Sequence, residues 1–178
     1  MNIIIGRGEN VEFADAKLSY LEELLCSIDR SLLSVNDKIQ KADVWGVGCY
    51  CDKGEYFIGV GFCAMQRYLF DVLEDVKLDP GLARTLGPKS SIGIPVAEVI
   101  HAAGNYWKHS PEWHIWLEKL RLCSQKTVDS ILHGKESADY PLSDLLVELV
   151  GGDFRLSNCL PYLIKWHLAV HQYVQKKV

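Results

Sequence analysis

Glu98, His101, Asn105 and His109 follow one another at spacings of three, four and four residues, so in a helix all four stand one above another on a single face. Lys108 lies beside the last of them, Tyr106 and Trp107 flank the row, and His114 follows after Ser110-Pro111. An imidazole exchanges protons near neutral pH, a carboxamide both gives and accepts hydrogen bonds, and an ammonium attracts phosphate. The row therefore holds the parts for acid–base chemistry on a phosphate ester. The solvated face of an ordinary amphipathic helix carries a similar pattern. The Ser110-Pro111 break, which places His109 and His114 on adjoining elements, favours the chemical reading.

A second pair, His167 and His171, sits one helical turn apart, a spacing at which two imidazoles can hold one metal ion. Leu168 stands where H-E-x-x-H has its glutamate, so a third ligand would have to come from another helix, such as His101 or His109. The other reading of the pair is two partly exposed helix histidines. Gly46-x-Gly48 and Gly59-x-Gly61 lack the third glycine and the strand-turn-helix setting of a dinucleotide site. They read as flexibility or close helix packing, with Gly59 and Gly61 admitting a partner helix. There is no G-x-S-x-G elbow. The six cysteines include no C-x-x-C pair, and Cys49 and Cys51 have no further close-spaced ligands; buried, reduced thiols are expected. No cofactor and no metal are expected.

The elements that must position these residues are helical. Leu18, Leu21, Leu25, Ile28, Leu32, Leu33 and Ile39 recur at helical spacing, which predicts a first helix over 13–40. Glycine density over 43–61 predicts a loop tightening into a second helix from Tyr56 to Val76, stopped by Asp79-Pro80-Gly81. A third helix opens near Pro95 and runs through Trp107. Ser110-Pro111-Glu112 reads as an N-cap with proline in the first turn, so a fourth helix is expected from Trp113 to Gly134. Leu142 to Val150, closed by Gly151-Gly152, and Cys159 to the end complete the set. Strand alternation is weak outside residues 2–5 and 44–51. The expectation is an all-α single-domain bundle of about five to six helices spanning 1–178.

With 178 residues, 48% of them hydrophobic and 24% charged, the chain is sized for one globular domain and is not disordered. Nineteen Lys and Arg against 23 Asp and Glu give a net charge of −4, which excludes a large non-specific nucleic-acid surface and leaves room for a small basic site. Lys119, Arg121 and Lys126 form a modest basic strip that with Lys108 could track a phosphate backbone; ordinary solvated surface is the alternative. Tyr106, Trp107, Trp113 and Trp116 could stack bases or belong to the core. Met1-Asn-Ile-Ile-Ile-Gly is no secretory signal, and no run approaches the roughly 18 apolar residues of a spanning helix. The reading is a soluble, cytoplasmic protein that contacts no membrane.

The string Gly104-Asn105-Tyr106-Trp107-Lys108-His109 in an all-α chain resembles the HEPN superfamily, whose motif is R-x4-6-H, often beginning R-N. Asn105 matches the motif asparagine and His109 the motif histidine, while the arginine position falls on Gly104. The resemblance implies a helical bundle, frequently dimeric, and in many members a metal-independent ribonuclease of toxin-antitoxin or phage-defence systems. It assigns His109 as acid/base, Asn105 as orienter and Lys108 as phosphate contact. His101, His114, Lys119 and Arg121 become RNA-binding candidates, and RNA, a second copy and an antitoxin-like protein become the expected partners. Either Lys108 stands in for the arginine as a point charge, or the scaffold persists without cleavage. The rivals are a non-catalytic helical interaction protein and a metal-dependent bundle enzyme built on His167 and His171.

Overall fold

The computed structural model describes residues 4–5, 11–12, 15–91, 93–116, 122–132 and 139–177, apart from the side chains of 4–5, 11–12, 44, 113–116 and 122–124. The chain is all-α. A two-residue antiparallel ladder, β1 (Ile4–Ile5) on β2 (Val11–Glu12), precedes seven described helices: α1 (Ala16–Lys41), α2 (Val44–Val76), α3 (Pro80–Arg84), α4 (Val96–Trp116), α5 (Leu122–Leu132), α6 (Pro141–Val150) and α7 (Leu160–Gln175). A 3₁₀ turn, Leu156–Cys159, leads into α7. Of the two weak strand signals, the first coincides with β1, whereas 44–51 is helical.

Asp15 starts α1 by accepting hydrogen bonds from the Lys17 and Leu18 amides at 2.9 and 3.2 Å, which satisfies two of the donors a helix start leaves open. Leu21, Leu25, Ile28, Leu32 and Val35 then bury one stripe of α1 against α2. The second helix begins at Val44 rather than near Tyr56, because Asp43 caps it through the Gly46 amide at 2.9 Å. Its glycines are seats as much as weak points. A Cβ at Gly59 would fall inside the Trp107 indole and one at Gly61 would run into Leu156. Burying a side chain of that size contributes roughly 1.5–3 kcal/mol, more than the roughly 1 kcal/mol an interior glycine costs. The Gly59 seat admits a residue of the packed helix α4, and the Gly61 seat is filled from the 3₁₀ turn before α7.

The third predicted helix corrects the expected boundary: α4 passes through Pro111 without ending. Proline removes one backbone donor and crowds the carbonyl four residues earlier. That carbonyl belongs to Trp107, which is locked into the Gly59 seat, so the loss of one bond does not end the helix. Residues 113–116 therefore belong to α4, and the described residues of α5 are Leu122–Leu132. The α6 and α7 expectations hold. Gly151 ends α6 with φ of 80° and its amide bonds the Val147 carbonyl at 3.0 Å, and Pro161 sits in the first turn of α7. Tyr140 lends α6 no side-chain cap; Glu55 of α2 does so instead, accepting from the Leu142 and Ser143 amides at 2.7 and 2.9 Å.

The long α2 is the axis of the bundle. Phe62, Met65, Leu69 and Val72 on it meet Ile100 and Ala103 of α4, and Leu163 and Trp166 of α7, in one continuous core. Along the α2–α4 contact the pairs Gly59–Trp107, Gly104–Gln66 and Phe70–His101 run in opposite sequence directions, so the two helices are antiparallel. No described helix is long and apolar enough to cross a membrane.

Candidate functional site

The polar row of α4 divides at Asn105. At its start Glu98 accepts from Arg84 Nε at 2.7 Å, so the five-residue α3 swings an arginine onto the stripe. One turn on, half-buried His101 is enclosed by two carboxamides. Gln66 Nε2 of α2 lies 3.0 Å from His101 Nδ1, 3.0 Å from the His101 carbonyl and 2.9 Å from Asn105 Oδ1. Asn105 Nδ2 lies 3.1 Å from His101 Nε2. Both amides turn their nitrogens to the ring; a neutral imidazole accepts from one of them through its single lone pair, whereas an imidazolium accepts from neither. The charges agree: burial, then the Arg84 and Lys108 cations, hold the His101 pKa below its ordinary value against the opposing pull of Glu98.

The second half of the row faces solvent. Lys108 is exposed, and the His109 side chain is 50% exposed with Nδ1 3.6 Å from Glu112 Oε2. The imidazole of His109 is thus neither sealed in the core nor joined to Asn105, whose amide is bound to Gln66 and His101 instead. The expected set of His109, Asn105 and Lys108 shares a helix face but not a hydrogen-bond network. Tyr106 and Trp107 pack partly buried against the core. His114 lies on α4 but its side chain, with Lys119 and Arg121, the side chains of Trp113 and Trp116, and the stretch 117–121 of the expected fourth helix, lies outside the described residues.

Gly104 is not an open seat for an arginine. It is buried, its carbonyl accepts from Cys63 Sγ at 3.5 Å, and a Cβ there would stand 2.7 Å from Gln66 Oε1 and 2.9 Å from Gln66 Cδ. A side chain at this position would point at α2, away from the exposed end of the stripe. Glycine allows the backbone approach that puts Gln66 within reach of His101 and Asn105.

His167 belongs to a different group. It is fully buried; its Nδ1 lies 2.8 Å from Tyr68 Oη, and Tyr68 donates to Asp15 Oδ2 at 2.8 Å. Asp15 thereby caps α1 with one oxygen and ends a buried Asp–Tyr–His chain with the other. Burial pushes the His167 pKa down to about 4, with neighbouring His171 adding to the depression and Asp15 opposing it. The ring centroids of His167 and His171 lie 5.1 Å apart. His101 and His109, the expected sources of a third metal ligand, are on the α4 row with partners of their own, and among the described residues no three His, Cys, Asp or Glu side chains gather around a common point. Among the described residues a metal centre on this pair has no third ligand to complete it. The thiols also differ from expectation in part: Cys159 is buried and burial pushes it up to about 12, but Cys26 and Cys49 stand exposed.

Three residues of the site lie outside the motif. Gln66 is legible after the fact as the one amide on the apolar face of α2, between Met65 and Leu69 in the core. Phe70, edge-on to His101 at 5.7 Å, looks in sequence like any apolar position, and Arg84 carries no local signal, since its meeting with Glu98 depends on where α3 lands. Set against protein-family models, curated proteins and solved structures, the chain matches none of them.

Proposed function

We propose that this chain acts on RNA through the α4 stripe, with His109 exchanging protons with the ribose hydroxyl and leaving oxygen, Lys108 holding a phosphate, and Asn105 orienting the backbone. The observation that carries this reading is the fixed Asn105 amide. Gln66 and His101 immobilise it on the same helix face on which Lys108 and His109 are exposed one turn later. A preset amide beside an exposed imidazole and an exposed ammonium is the arrangement that general acid–base chemistry on a phosphodiester uses. The HEPN resemblance supports the rest of the reading: a homodimer in a toxin-antitoxin or phage-defence setting, held in check by an antitoxin-like protein.

One observation favours a second reading, an RNA-binding domain without cleavage. The position of the motif arginine is occupied by a glycine packed against Gln66, and the bidentate stabilisation an arginine gives a developing phosphate charge is not supplied by Lys108.

Labelled RNA incubated with the protein in excess chelator separates the two. Cleavage that His109→Ala lowers by about a hundredfold or more supports the ribonuclease; binding without cleavage supports the second reading. Neither binding nor cleavage removes both.

A further inference from the structure

Arg84 gives only its Nε to Glu98; among the described residues its two terminal amino groups have no protein partner. Its side chain is 22% exposed, so the guanidinium is partly desolvated and still open to solvent. Arg67, by contrast, is taken up by Asp71 at 2.8 Å. His101, which feels the charge of Arg84, meets on α2 the ring of Phe70, edge-on at 5.7 Å, and Phe70 remains 40% exposed. A guanidinium with an unused fork favours a phosphate, and an exposed ring on a rigid helix offers a face to a base.

We propose that Arg84, Phe70 and His101 form a subsite for one nucleotide of single-stranded RNA, the guanidinium taking the phosphate and the Phe70 ring the base. This rests on the RNA reading of the α4 face and deepens it. His101, neutral and pinned by Gln66 and Asn105, forms the floor between the two contacts and moves no proton. Glu98 and Lys108 stand ten residue steps apart, roughly 15 Å of helix, so a strand seated here continues toward Lys108 and His109 at the other end. A base-paired strand keeps its bases stacked inside the helix and cannot present one to Phe70, so the subsite selects unpaired RNA. Stacking on phenylalanine does not read base identity, so the selection is for strandedness rather than sequence.

The test measures binding of a fluorescein-labelled oligouridylate and of an RNA duplex of equal length to the full chain by anisotropy, across a range of salt. The single strand binds more tightly than the duplex. Arg84→Gln weakens single-strand binding and reduces the slope of log K against log salt by about one, whereas Glu98→Gln, which releases the guanidinium, tightens binding. Phe70→Ala raises Kd about tenfold; Phe70→Leu, which keeps an apolar side chain in place but has no ring, does the same, and Phe70→Trp preserves binding. Melting curves of each variant separate lost contacts from lost fold. Oligouridylate binding unchanged in both Arg84→Gln and Phe70→Leu, or a duplex bound as well as the single strand, overturns the subsite and leaves the RNA reading standing. Wild-type protein that binds neither RNA overturns both.

Discussion

The side-chain nitrogen of Gln66 on α2 lies 2.9 Å from the side-chain oxygen of Asn105 on α4, 39 residues apart in the chain. The same nitrogen reaches the carbonyl and ring of His101. One buried amide thus ties together the two polar residues at the centre of the α4 stripe and fixes which way the Asn105 amide faces.

Replacing that amide is therefore costly. Gln66→Leu keeps the volume but takes from the Asn105 side-chain oxygen its Gln66 donor in a half-buried place, a loss of about 1–3 kcal/mol. Urea denaturation should show the unfolding free energy falling by that amount, with a lower midpoint. RNA cleavage or binding should fall further than the loss of folded protein accounts for, because Asn105 is released. A variant as stable and as active as the wild type would show that the network positions nothing.

Gly104 gives a prediction of the opposite kind to the one its motif position suggests. Because its missing side chain faces Gln66, Gly104→Arg should produce no gain in cleavage. Gly104→Ala already forces Gln66 to move, at about 1–3 kcal/mol, and arginine should cost more. Denaturation midpoints falling in the order glycine, alanine, arginine are the expected result; an arginine variant of native stability with new nuclease activity would contradict this packing.

The glycines of α2 should separate by what covers them. Gly48 has no neighbour within 4 Å of where a Cβ would stand, so Gly48→Ala should stabilise by up to about 1 kcal/mol through helix propensity and a less free unfolded chain. At Gly59 a Cβ meets the Trp107 indole, and Gly59→Ala should destabilise the protein while changing the fluorescence of Trp107. Thermal melts of the two variants moving in the same direction would count against the seat.

Stability should fall in mild acid. His167 is buried with its pKa lowered to about 4, burial being the main cause, below the roughly 6.5 of an unfolded histidine. Between those values the unfolded chain binds the proton and the folded chain does not, so stability is complete above the upper value and declines as pH drops toward the lower one. The depression corresponds to on the order of 3 kcal/mol. His101 and His171 are lowered in the same direction, burial first in each case. Denaturation near pH 5 should therefore show a clearly less stable protein than at neutral pH, and His167→Phe should flatten that dependence. A profile flat across this range in the wild type would mean that His167 keeps its proton in the fold.

Much of the architecture is a matter of local spacing and local caps, and these are visible in the chain itself. The apolar period of 18–39, the proline at Pro161 and the glycines Gly151 and Gly152 each act within a turn or two of where they stand, so the helices they mark follow from sequence. The alignment of Glu98, His101, Asn105 and His109 on one face follows in the same way, from 3.6 residues per turn. Which of those four is buried does not. It depends on Gln66 arriving from α2, on α3 delivering Arg84 to Glu98, and on Gly104 letting α2 approach, all of them contacts between segments far apart in the chain. The continuity of α4 through Pro111 has the same origin, since the packing of Trp107 on Gly59 outweighs the local cost of a proline, whereas the early start of α2 rests on the local Asp43 cap. Spacing along one helix lines residues up; only the neighbouring helices decide which of them face water and which are bound.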